Sequence, residues 1–125
     1  MLFAAGCLAF ILGIIHSILG EVLIFKRMRT GGIIPTTGGS LLKERHVRIL
    51  WASWHLVTVF GWAIGAILCW FSISSSAEII MPPFLVNSIV MAMFAGSALV
   101  LFGTKGKHPG WVVLLIIGAL SWIGT

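Results

Sequence analysis

Four histidines and a glutamate stand in this 125-residue chain where side chains of their type do chemistry. His16 and Glu21 fall inside an apolar run at residues 2–25; His55 falls inside another at 47–71, flanked by Trp51 and Trp54. An ionisable group within a stretch long enough to cross a bilayer is costly unless paired, which makes each a functional candidate by default. Counted from the basic ends of these runs, His16 is about nine residues deep and His55 about eight, or roughly 12–14 Å at the helical rise. The two imidazoles are level. Arg48 lies seven residues before His55 on the same helical face, while His46 and His108 sit at the rims of apolar runs.

Two level imidazoles on different helices can be the axial ligands of a b-type haem. Gly13 and Gly20 flank His16 on one face and leave room for a flat ring. Trp51, Trp54 and Phe94 could line that ring, and Arg45, Arg48, Lys105 and Lys107 could meet its propionates. Alternatively His16 and His55 hold a transition metal, with His46 and His108 as further donors at the mouth. Either cofactor would give a redox or enzymatic role, with Glu21 as the catalytic base. Glu21 is a poor co-ligand for His16, being about 7.5 Å along the axis and on another face, but it shares its face with Ser17. A third chemistry is a proton relay from Glu21 to His16 or His55 in a small transporter. The bland alternative is a packing network in a structural or accessory subunit, His16 bonding His55 or Ser97 and Glu21 pairing with Arg48. Such bonds contribute about 0.6–2 kcal/mol in membranes. No HExxH, CxxC or His pair at i, i+4 decides among them. A haem or metal held by His16 and His55 is the first expectation, and the other readings stay open.

The elements that must position these groups follow from composition. Residues are 59% hydrophobic and 9% charged, where a soluble domain carries roughly a quarter charged residues. The chain is therefore expected to be an integral membrane protein: one all-α domain, an antiparallel bundle of four spans near 2–25, 47–71, 79–103 and 109–124. Three runs exceed the roughly 20 residues that cross the hydrocarbon, and the last is shorter. The first is followed directly by basic residues and lacks a basic n-region, unlike a cleaved signal peptide.

All eight Lys and Arg residues lie between runs one and two or between three and four, whereas the connection holding Glu78 has none. The positive-inside rule then makes the basic loop at 26–46 cytoplasmic and puts both termini on the opposite side. The net charge of +5 is a topology signal and an attraction to anionic lipid, with no need of nucleic acid. Within the loop, Gly31-Gly32 and Gly38-Gly39 bracket Pro35 and read as a linker, with Ser40 capping a helix that starts at Leu41. Pro83 and Pro109 suit first helical turns. Gly61 and Gly65 form a GxxxG pair for packing, or for a homo-oligomer or a larger membrane complex. Cys7 and Cys69 fall near the non-cytoplasmic end, as buried apolar thiols or as a disulfide.

HSILGE at 16–21, Arg48 with WHL at 54–56, and KHPGW at 107–111 resemble, in this order, the HSxxGE, WH and HPxW signatures of a family of small four-span bacterial membrane proteins. The resemblance covers most of the chain. It implies a multi-pass protein of the bacterial inner membrane and brings no activity with it. Its motifs fall on His16, Glu21, Arg48, His55 and His108.

Overall fold

The computed structural model describes residues 1–74 and 82–124. Glu78 and the start of the third expected span lie outside the described residues. Four α-helices follow in order: α1 (Leu2–Leu23), α2 (Glu44–Ser74), α3 (Pro83–Gly103) and α4 (Gly110–Ile123), with a 3-10 turn at Phe25–Met28. The described residues contain no strand beyond an isolated bridge between Gly38 and Leu42. The all-α expectation holds. Helices α1, α2 and α3, of 22, 31 and 21 residues, are long and apolar enough to cross a membrane. Helix α4 has 14 residues, or about 21 Å, short of the roughly 30 Å hydrocarbon thickness. Many large apolar side chains face outward, among them Ile18, Val22, Val57, Phe60, Met91 and Leu99. Hydrocarbon solvates such a surface and water does not.

Two boundaries differ from expectation. Helix α2 begins at Glu44, not at Leu41 with a Ser40 cap. The Gly38–Leu42 bridge and the left-handed backbone of Gly39 (φ +68°) hold the chain out of the helix until Lys43. The Lys43 carbonyl then accepts the N–H groups of His46 and Val47. Glu44 stands in the first turn, where a carboxylate complements the helix dipole. Pro109 takes the cap position of α4 and Gly110 the first turn, one residue later than expected. Pro83 opens α3 as its fixed φ requires.

The residues group into two compact units, each drawing on α1 and α2. The first is Met1–Leu12 with Trp62–Thr125. Its core takes Leu2, Ala5 and Ala9 from α1, Leu68 from α2, Val86, Ile89 and Val90 from α3, and Ile117 from α4. The i, i+3, i+4 spacing puts each set on one helical face. Ser97 ties α3 to α4 by donating to the Trp111 carbonyl at 2.7 Å, and Gly118 admits the Phe94 ring beside it.

The second unit is Gly13–Gly61. Its connection is largely exposed but anchored at several points. Thr36 and Thr37 donate N–H bonds to the Met28 carbonyl at 2.9 and 3.0 Å, and Phe25, Pro35 and Val47 are buried. A Cβ on Gly38 would lie 2.7 Å from Val47 Cγ2, so only glycine fits there. This fold-back carries residues 25–29 onto the site described next.

Candidate functional site

Within Gly13–Gly61, one carboxylate collects three donors. Glu21 Oε1 accepts from Trp51 Nε1 at 2.7 Å and lies 3.0 Å from His55 Nε2, while Oε2 accepts from the Arg29 guanidinium. His55 Nδ1 lies 3.1 Å from the Ser17 hydroxyl, and that hydroxyl lies 3.0 Å from Thr58 Oγ1. The groups form a continuous chain, Glu21–His55–Ser17–Thr58, from the end of α1 nearest the loop towards its middle. Helical spacing makes it possible. Ser17 and Glu21 are one turn apart on α1, and His55 and Thr58 are three apart on α2, so each pair shares a face. Glu21 and His55 side chains are about a quarter exposed, and Thr58 at the far end is buried.

Aromatic rings hold this chain in place. Trp51 meets His55 edge-on, with centroids 4.9 Å apart. Trp54 stacks on the His16 ring at 4.3 Å and 6°, and its indole N–H donates to the His16 carbonyl at 3.0 Å. The buried Phe25 ring stands 5.9 Å from Trp54, edge-on, and 6.2 Å from His55. The indole fits because Gly20 has no side chain: a Cβ there would overlap Trp54 Nε1 and lie 2.6 Å from Cε2. The room expected beside His16 for a flat ligand is thus filled by the protein's own Trp54.

The remaining candidates have other partners. Arg48 pairs with Glu44 at 2.7 Å, one turn away on α2 and half exposed, not with Glu21. It also lines an open depression of about 430 Å³ with Thr30, Gly31, Gly32, Ile33, Ile34 and Thr36. His46 receives Arg45 Nε at 3.3 Å. In the other unit, His108 Nδ1 accepts the Gly110 N–H at 3.0 Å and so caps the start of α4. Ser97 donates to the Trp111 carbonyl.

Arg29 and Thr58 were missed from sequence. Thr58 had a signal, three residues from His55. Arg29 had none, because helix α1 stops at Leu23, the tighter 3-10 turn follows, and Arg29 is extended (φ −98°, ψ 140°). No periodicity survives that change of backbone.

The described residues contain no group of three His, Cys, Asp or Glu side chains able to hold a metal. Both ring nitrogens of His55 are engaged, so a metal or haem iron there must displace Glu21 or Ser17. As it stands the donor set does not fit axial haem ligation by His16 and His55. It fits proton exchange. With Glu21 ionised and His55 neutral, Nε2–H donates to the carboxylate and Nδ1 accepts the Ser17 proton. With His55 doubly protonated, Nδ1–H donates to Ser17, and Ser17 must turn its own proton to Thr58. One proton on the imidazole reverses both hydroxyl bonds. Comparison with protein-family models, with curated proteins and with solved structures finds no match to this chain.

Proposed function

We propose that this chain is a small proton transporter of the bacterial inner membrane, in which Glu21 and His55 load and pass the proton. The observation that carries this is the 3.0 Å contact between His55 Nε2 and Glu21 Oε1, made while Nδ1 engages Ser17. An acid and a base in direct contact at the end of a hydroxyl chain are the parts a relay needs. Histidine is the side chain that changes charge nearest neutrality. Arg29 pairs with one carboxylate oxygen, and Trp51 fixes which oxygen faces the imidazole. Helix α4 completes the four-span bundle by thinning the bilayer locally. The basic loop lies on the cytoplasmic side, as the placement of all eight Lys and Arg residues favours, so protons enter the chain at Glu21 from that side.

The test is proton flux in liposomes containing the purified chain, driven by a potassium diffusion potential and read by an enclosed pH dye. Wild-type protein is expected to carry flux above protein-free vesicles, and Glu21→Gln and His55→Gln to remove it. Wild-type flux no greater than the leak, or flux untouched by both substitutions, overturns the proposal.

A further inference from the structure

Within the unit Met1–Leu12 with Trp62–Thr125, α1 and α2 meet backbone to backbone. A Cβ on Gly6 would lie 2.7 Å from the Gly65 carbonyl oxygen, and one on Gly65 would lie 3.0 Å from the Gly6 carbonyl oxygen. A side chain on Gly6 would overlap the facing backbone, and one on Gly65 would press tightly against it. The chain's two cysteines flank this crossing. Cys7 follows Gly6 directly, and Cys69 stands one turn beyond Gly65. Cys69 Sγ rests over the first turns of α1, 4.0 Å from the Phe3 carbonyl oxygen and 2.5 Å from where a Gly6 Cβ would be. Gly6, against which Cys69 Sγ rests, is the residue directly before Cys7. Both are reduced and partly exposed.

We propose that Cys7 and Cys69 are a dithiol site that closes to an intramolecular disulfide by exchange with a disulfide substrate. A disulfide needs Cα atoms about 4.4–6.8 Å apart, whereas packed helix axes are normally about 8–10 Å apart. The paired glycines remove the side chains that keep helices at that separation. The same close approach brings the α1 segment that carries Cys7 against the α2 segment that carries Cys69. The exchange runs in two steps. One thiolate attacks a sulfur of the substrate disulfide, which breaks and releases one thiol. The second cysteine, having lost its proton to solvent, attacks the resulting mixed disulfide, forming Cys7–Cys69 and releasing the second thiol. The pair is oxidised by two electrons and the substrate is reduced by two. Neither cysteine belongs to the Glu21–His55 chain, so the two functions are separable.

Oxidised glutathione is the probe, applied to detergent-purified full-length protein, with acid quenching and then mass spectrometry and maleimide labelling. Wild-type chain is expected to lose two hydrogens, keep no glutathione and lose both maleimide-reactive thiols together. Cys7→Ser and Cys69→Ser are each expected to stop at one retained glutathione. Three results overturn the proposal. They are glutathione retained on wild type at either cysteine, disulfide-linked dimers, and two free thiols surviving both glutathione and the membrane-permeant oxidant diamide.

Discussion

Replacing Glu21 by glutamine separates a proton-carrying carboxylate from a merely structural one. The carboxamide has the same shape but one acceptor oxygen and one donor nitrogen. If its oxygen takes the place of Oε1, the bonds from Trp51 and His55 survive, and the new NH₂ faces the Arg29 guanidinium, donor against donor. If the amide is turned over, Arg29 keeps an acceptor. His55 can then shift its proton to Nδ1 and accept at Nε2, but the Trp51 indole N–H is orphaned. Either orientation leaves one donor unmatched. A fully buried orphan costs about 1–3 kcal/mol. With Glu21 28% exposed, water reaches the site and the lower half of that range applies, about 1–2 kcal/mol. That is a factor of roughly 5–30 in the folded ratio, against a total stability of about 5–15 kcal/mol. The variant therefore stays folded, with a modestly lower midpoint in a thermal scan. Flux responds differently, because a carboxamide cannot ionise, and it should fall to the leak of empty vesicles. Trp51→Phe is the control: it removes one donor and keeps the acid, and should retain flux with a similar loss of stability. Wild-type flux in Glu21→Gln would refute the relay. Equal loss in Trp51→Phe would show that the geometry of the network matters and the proton does not.

Ser17→Ala cuts the link between His55 and Thr58, so flux should drop sharply with about 0.6–2 kcal/mol of stability lost, while Ser17→Thr keeps the hydroxyl and most of the flux. Gly20→Ala drives a methyl into the Trp54 indole and should destabilise by about 1–3 kcal/mol, read as a lower thermal midpoint with a red shift in tryptophan fluorescence. Absorption spectra of purified protein, as isolated and reduced, should be flat in the visible after expression with ample haem. A Soret band that vanishes in His16→Ala or His55→Ala would replace proton exchange with haem ligation.

How far the sequence could be read depended on which physical signal each feature carries. Apolar runs longer than 20 residues are unmistakable, so the helices were legible within a few residues, and α4 stood out as short. Depth within those runs picked out His16, His55 and Glu21, and the i−4 spacing put Ser17 beside Glu21 before any partner was known. Partners were another matter. Glu21 was matched to Arg48 because both stood near one membrane face, yet Glu44, one turn from Arg48 on the same helix, is the closer acid. That i, i+4 pair was open to view, since a helix begun at Leu41 or at Glu44 carries both residues on one face. Arg29 reaches Glu21 only because the chain leaves the α-helix at Leu23, a change of direction that leaves no hydrophobic period to detect. The Gly20 face was read as room for a flat ligand, and the ring found against it is Trp54. A stretch of hydrocarbon-soluble sequence marks every polar residue as expensive, and so reveals where chemistry is. It says nothing of which neighbour satisfies each one, since loop geometry and ring packing decide that, and both are set by residues that look unremarkable in a hydropathy profile.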